Sequence, residues 1–231
     1  MKRFYKEVSV GQAGGGWQVL LDGRGIRTAG RQPQIVPNEA LAEAMAAEWS
    51  GQGETVDPAA FVLRDLADYA IDVVAPARDE AIADLVPYAQ TDTLCYRGEK
   101  GEPLHARQLE VWEPLLQAAE HRWDVSFERI AGVIHQPQPP ETLARMQAIL
   151  SAESDFSLAA LRTLASLAAS LVIALAAISP DADPEELWRA ANLEQDWQAE
   201  LWGKDAEAEA LRARRFAAFE TAARFAALAR V

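Results

Sequence analysis

Over residues 1–36 the apolar positions cluster in short aromatic and β-branched runs of the kind strands use, and from Asn38 onward helical patterning dominates. Phe4-Tyr5-Lys6-Glu7-Val8-Ser9-Val10 is rich in aromatic and β-branched residues, and Trp17-Gln18-Val19-Leu20-Leu21 repeats that character after Gly14-Gly15-Gly16. Such runs fit a pleated, half-buried surface. The glycines between them supply the backbone freedom of a turn. They lack the spacing of either nucleotide-binding fingerprint, and no lysine-serine or lysine-threonine pair closes the run. Asp22-Gly23 follows the second run and favours a two-residue hairpin. A small antiparallel meander is predicted.

The helical part is punctuated by caps and prolines. Asn38 is placed to cap a helix that runs to Trp49-Ser50 and ends at Gly51. Asp57-Pro58 predicts a second start, with Leu63, Leu66, Ala67, Ala70, Ile71 and Val74 as its apolar stripe and Pro76 as its stop. A helix over Ala77–Ala89 comes next, and Thr91–Tyr96 is expected to turn and extend. Leu104–Trp123 is predicted helical, with Pro114 as a kink or break. Val125–Ile134 is expected to hold a short strand, and Glu141–Leu150 a helix. Ser154 or Asp155 is expected to cap an apolar helix reaching Ile178. Asp183-Pro184-Glu185-Glu186 is a strong helix start, with a cap, a proline and acids at the positive end, and the helix is predicted to run to Trp202 before Gly203. A final helix is predicted over Ala206–Ala229. The fold class is α+β: a small antiparallel β-rich N-terminal lobe (residues 1–98, β hairpins then helices), then a larger, mostly helical C-terminal lobe (residues 99–231), divided at the polar stretch Gly98–Pro103.

Composition and charge narrow the function. With 231 residues the chain is long enough to bury a real core. Acids outnumber bases 35 to 22, a formal charge of −13 that opposes binding to nucleic acid or to anionic membrane. The charge is uneven. Residues 1–31 hold six bases and two acids, residues 181–210 hold ten acids against Arg189 and Lys204, and residues 211–231 hold five arginines and one glutamate. The late acidic and basic helices either pair with each other or meet a partner. The single cysteine, Cys95, has no internal disulfide partner, which points to a reducing compartment. Thr163–Ile178 is sixteen residues without a charge, short of the about twenty that a membrane span needs, so a buried core helix is expected there. No signal-type apolar run follows the basic start, so a cytoplasmic setting is expected.

Catalytic chemistry finds no constellation. His105, His121 and His135 stand outside any zinc-site spacing, and no metal or cofactor is expected. Cys95, in a Leu-Cys-Tyr context, is a small buried hydrophobe far more often than a nucleophile. The chemical alternative is a small-molecule enzyme using Cys95 or an acidic cluster. The informative segment is Leu187–Gly203. On one continuous helix, Leu187, Ala191, Glu194, Trp197 or Gln198, and Leu201 share a stripe. Glu194 breaks it, and a carboxylate on a core-facing stripe needs a partner. Either Arg162 pairs with it internally, or it waits for a basic group on another protein. Trp188, Trp197 and Trp202 lie within fifteen residues, and tryptophan serves both as core filler and as interface anchor.

Several segments, in order, resemble one family. They are Arg3-Phe4-Tyr5-Lys6, Leu21-Asp22-Gly23-Arg24, Ala47-Glu48-Trp49-Ser50-Gly51-Gln52, Ala70-Ile71-Asp72 and Thr91-Asp92-Thr93-Leu94-Cys95-Tyr96-Arg97. Gln108-x-x-x-Trp112-x-Pro114-Leu115-Leu116 and Leu193-Glu194-x-x-Trp197-Gln198-x-Glu200-x-Trp202-Gly203 complete the set. Together they resemble the mitochondrial and alphaproteobacterial chaperones that handle the α subunit of the ATP synthase catalytic head. The resemblance implies a protein that binds free α subunit, prevents its aggregation and leaves as the α/β ring forms, without hydrolysing ATP. A monomer is expected, with partner contacts at Glu194, Trp197, Gln198, Glu200, Trp202 and Trp49. Two positions depart from the pattern: Val62 stands where proline is usual, and Trp197 where an aromatic, commonly phenylalanine, is usual.

Overall fold

The computed structural model describes residues 1–132, 135–203 and 205–230. Lys204, and the end of the extended stretch expected at Val125–Ile134, lie outside them. Contacts group the chain into two compact units. The first joins residues 1–78 to 154–160 and 221–231; the second joins 79–153 to 161–220. The polar stretch Gly98–Pro103 falls inside the second.

The first unit carries the meander. Strand β1 (Val8–Ala13) pairs antiparallel with β2 (Gly16–Leu21), Val8 opposite Leu21 and Ala13 opposite Gly16. Gly14 and Gly15 make the turn at φ +58° and +85°. Asp22 and Gly23, at φ +48° and +75°, then lead into the two-residue β3 (Arg24–Gly25). Positive φ at both central residues is what the tightest hairpin turn demands. Phe4 and Tyr5, expected in the first strand, lie before it.

Helix α1 (Glu39–Ser50) begins where Asn38 accepts a hydrogen bond from the Leu41 amide at 3.0 Å. The helix buries Leu41, Ala42, Met45 and Trp49 against the two long strands. Asp57-Pro58 opens only a single 3-10 turn, Pro58–Ala60; α2 (Val62–Tyr69) starts after it. Phe61 offers α2 no cap, and the carboxylate of Glu48 accepts from the amides of Leu63 and Arg64 at 2.7 and 3.0 Å instead. Pro76 does not stop the chain: a π turn over Ala70–Val74 and a 3-10 turn over Ala75–Ala77 carry it into α3 (Arg78–Leu85).

The second unit is nearly all helix: α4 (Pro87–Gln90), α5 (Pro103–Trp123), α6 (Pro140–Ala152), α7 (Asp155–Ala168, shared with the first unit), α8 (Leu171–Ala177), α9 (Pro184–Ala191), α10 (Leu193–Trp202) and α11 (Ala206–Leu228, also shared). A two-residue parallel pair, β4 (Tyr96–Arg97) with β5 (Ile130–Ala131), is its only strand pairing among the described residues. Pro114 sits inside α5 without breaking it, and the neighbouring Trp112 and Leu116 are fully buried. The α+β class expected from the sequence is thus borne out. No helix among the described residues is long and apolar enough to cross a membrane.

The helix predicted over Ala77–Ala89 is split at Val86 into α3 and α4, and two later predicted helices are each divided in two. The apolar run to Ile178 breaks at Ala169, whose φ is +49°, and α8 starts afresh with Ser170 accepting from the Ile173 amide at 3.0 Å. The break is stabilised from below: Thr93 donates to the Ala169 carbonyl, and the Asp92 carboxylate accepts from the Val172 amide at 3.0 Å. A buried helix start needs acceptors for its free amides, and Asp92 and Ser170, both fully buried, supply them. Burial pushes the Asp92 carboxyl up to about 6, against the lowering effect of those hydrogen bonds. The second division falls at Asn192, between α9 and α10.

Candidate functional site

Asn192 resets the phase of the late acidic segment. The stripe expected across Leu187–Leu201 therefore does not exist as one face. Leu187, Trp188, Ala190, Ala191 and Leu193 are buried; beyond them α10 turns outward. Trp188 packs against Phe216 and Phe219, ring centroids 6.0 and 5.5 Å apart. Trp197 is half-buried, and Trp202 is 79% exposed, next to Leu201 at 58%. One segment thus passes from core to solvent within fifteen residues.

Glu194 is half-buried and has a partner, but not Arg162. It accepts a hydrogen bond from the Gln108 amide group at 2.8 Å, while Arg162 donates to the Tyr88 hydroxyl at 3.0 Å. Gln108 is fully buried, accepts from the Gly98 amide at 2.7 Å, and receives Arg97 on its carbonyl at 2.9 Å. Arg97, 4% exposed, then pairs with Glu113 at 3.2 Å, and Arg129 bridges Glu113 and Glu120. Arg129's hydrogen bonds hold the Glu113 carboxyl below the usual carboxylate range. This buried polar chain from α10 to α5 was not visible in the sequence. Only the Gln108-x-x-x-Trp112 spacing hinted at it, since it places both side chains on one helix face.

The outer side of α10 is tied by an exposed pair and a half-buried one. Arg107 donates to both Glu200 oxygens at 2.9 and 3.1 Å, and its guanidinium lies 5.8 Å from the Trp197 ring. Arg212 of α11 forms an ion pair with Asp196, with Nη2 to Oδ2 at 2.7 Å. That pair is the internal answer of the basic last helix to the acidic one. Between α10 and the start of α11 runs a groove of about 360 Å³, with Trp188 and Ala199 in it and Gln198, Trp202, Leu211 and Arg212 along it. Glu194, Trp197, Gln198, Glu200 and Trp202 therefore share α10, whereas Trp49 belongs to the first unit. Trp49 is 8% exposed and packed on Tyr5 and Phe61, with ring centroids 5.4 and 4.4 Å away.

Nothing here favours covalent chemistry. Cys95 is fully buried, and burial pushes its thiol well above the ordinary range. A thiol that resists ionising is a poor nucleophile. Among the described residues no group of three or more His, Cys, Asp or Glu side chains is arranged to hold a metal ion. His105 and His135 are engaged with the Gly98 carbonyl and the Tyr96 hydroxyl, each at 3.0 Å.

Known proteins agree with this arrangement. Residues 2–120 match the family described as "ATP12 chaperone protein". The crystal structure of Atp12 from Paracoccus denitrificans superposes with a TM-score of 0.94 at 40% identity, covering 99% of this chain and 98% of that one. A solved protein of Agrobacterium tumefaciens matches with a TM-score of 0.91 at 37% identity, covering 98% of this chain and 85% of its own. The mitochondrial atp12 protein of Schizosaccharomyces pombe is 27% identical over 214 residues, 87% of this chain and 74% of the yeast protein. With a family match over half its length and a 40%-identical structural relative along nearly all of it, this chain belongs to the ATP12 family of ATP synthase assembly chaperones.

Proposed function

We propose that this chain binds the free α subunit of the ATP synthase catalytic head, keeps it from aggregating, and releases it as the α/β ring forms, with α10 as the contact helix. The observation that carries the reading is the outward apolar end of α10. Leu201 and Trp202 are exposed at 58% and 79% beside a groove, although the preceding helix α9 buries Leu187 and Trp188. Exposed tryptophan next to a groove is the kind of anchor that dominates protein interfaces. Glu194 and Glu200 lie on the same helix, outside the groove's lining, and their charge orients such an encounter toward a basic patch on the partner. The ordered segment resemblance supports the α subunit as that partner.

The test is capture on immobilised chain of α and β subunits expressed separately. The α subunit is retained and β is not; equal retention removes the α assignment. At equal molar ratio the chain suppresses light scattering by isolated α subunit. Trp202→Ala lowers α retention while leaving the melting temperature in place.

A further inference from the structure

The first unit holds a cleft of about 690 Å³, within the size range of sites that enclose a small ligand or a few residues of peptide. Part of its lining is aromatic: Phe4, Tyr5 and Trp49. Phe4 is 61% exposed, an unusual position for phenylalanine, and meets Tyr5 and Trp49 edge-on at 5.3 and 6.5 Å. The lining also carries three guanidinium groups, Arg24, Arg27 and Arg64, and two carboxylates, Asp22 and Asp68.

The hydrogen-bond balance of this lining is one-sided. Asp22 is already engaged by the Lys6 and Glu7 amides at 3.0 and 2.9 Å. Asp68 is engaged by the Ala29 amide at 3.1 Å and by Gln34. Arg64 is fixed by Asp65 and by the Phe61 ring, 4.5 Å away. The exposed Arg24 side chain, in contrast, has no hydrogen bond or ion pair among the described residues, and only the charge of Asp22 acts on it. The cleft offers this guanidinium and apolar area, while its carboxylates are already hydrogen-bonded. It also lies within the region where residues 1–31 hold six bases against two acids, on a chain of formal charge −13.

We infer that this cleft is a second contact site for the client polypeptide, taking an acidic apolar segment whose carboxylate meets Arg24 and whose bulky apolar side chain packs on the exposed ring of Phe4. The occupant is peptide rather than lipid, since the lining mixes aromatic, cationic and carboxylate side chains within one bounded cleft. The inference rests on the chaperone reading only for calling the segment a client's; the preference for an acidic apolar peptide stands apart from which subunit supplies it.

The test uses the full chain and two synthetic peptides, acetyl-Glu-Leu-Phe-Glu-Leu-amide and its counterpart with lysine in place of glutamate, with binding read by titration calorimetry. The acidic peptide binds at least about tenfold more tightly than the lysine peptide, as charge complementarity at a bounded site requires. Arg24→Glu, on an exposed two-residue strand, abolishes or reverses that preference without moving the melting temperature. Phe4→Ala weakens the acidic peptide while leaving the ratio between peptides nearly unchanged. Equal binding of the two peptides overturns the inference, as does undiminished binding to Arg24→Glu. Phenylacetate binding as tightly as the peptide overturns the assignment to a polypeptide. No ATP synthase subunit enters this assay, so its failure leaves the α10 reading standing. Failure of α capture likewise leaves this one standing.

Discussion

Helices α9 and α10 are neighbours in the chain, similar in length, both acidic and both bearing tryptophan, yet they end up in opposite environments. In α9 the apolar residues Leu187, Trp188, Ala190 and Ala191 are all buried, and the acids Glu185 and Glu186 face water near a start capped by Asp183. In α10 only Leu193 is buried, and the two largest apolar side chains at its far end, Leu201 and Trp202, point away from the core. The difference comes from Asn192. One residue out of helical phase turns what would be a single buried stripe into two faces, and the second face has no internal surface to cover. Folding explains α9 completely. It leaves the apolar end of α10 without a structural role, and a large exposed apolar surface is where a partner belongs.

The contrast is broken most forcefully by removing the two tryptophans one at a time. Trp188→Ala empties a buried site against Phe216 and Phe219 and is expected to cost about 3–5 kcal/mol, seen as a large drop in the urea midpoint. Trp202→Ala, at 79% exposure, is expected to shift stability by less than about 0.5 kcal/mol and to act on α retention alone. A Trp202 variant as unstable as the Trp188 variant would show that α10 is part of the core after all.

Next in size is the link between the two environments. Gln108→Leu leaves Glu194 and the Gly98 amide without their shared partner, and about 1–3 kcal/mol is expected to be lost. Glu194→Gln keeps the shape and changes the charge, so stability is expected to move by less than about 1 kcal/mol. If the charge meets a basic group on the partner, α retention falls. A large stability loss with intact retention assigns Glu194 to the frame instead.

The frame under α9 has a pH signature. Helix α8 packs against α9, and its start is held by Asp92, whose carboxyl burial raises from 3.8 to about 6. A carboxyl that binds its proton more tightly folded than unfolded makes the native state gain stability as pH falls from 7 through 6 toward 4. Above pH 6 the ionised, buried form opposes folding. Comparing Asp92→Asn with the parent chain isolates this group: the parent gains on the order of 1 kcal/mol relative to the variant between pH 7 and pH 5. Parallel pH profiles would show that Asp92 is not the group responsible.

What the sequence disclosed, and what it hid, follows the range of the forces involved. Local rules worked. Asp22-Gly23 made its tight turn, Asn38 and Asp183 capped their helices, and aromatic and β-branched runs around a glycine turn marked the meander. Long-range satisfaction was invisible. Ala169 adopts a left-handed backbone because Thr93 and Asp92, more than seventy residues earlier, supply the hydrogen bonds at that break. The same holds for Glu194, whose partner Gln108 lies 86 residues away. Misreading Asn192 as helix interior merged α9 with α10, since asparagine's weak helix propensity does not by itself declare a break. The site residues on α10 were legible as types, a carboxylate and tryptophans out of place. Their exposure was not, because burial depends on which surfaces the rest of the chain brings near.

The smallest expected effect tests whether the outer face of α10 is left for a partner or held by the protein itself. Arg107 and Glu200 form a two-pronged pair with side chains 43% and 53% exposed, and Arg107 also lies over Trp197. In isolation such geometry invites a large stability assignment. Exposed pairs, however, exchange good hydration for the contact and restrict two long side chains, so they rarely contribute more than about 1 kcal/mol. A double-mutant cycle of Arg107→Ala and Glu200→Ala, followed by thermal unfolding, is therefore expected to give a coupling below about 1 kcal/mol, shrinking further at high salt as screening closes in. A larger, salt-resistant coupling would mean that α10 is clamped to α5 by its outer face. Its acids would then be spoken for within the chain, and the distinction between a helix that folds and a helix that binds would move past Glu200 to Leu201 and Trp202 alone.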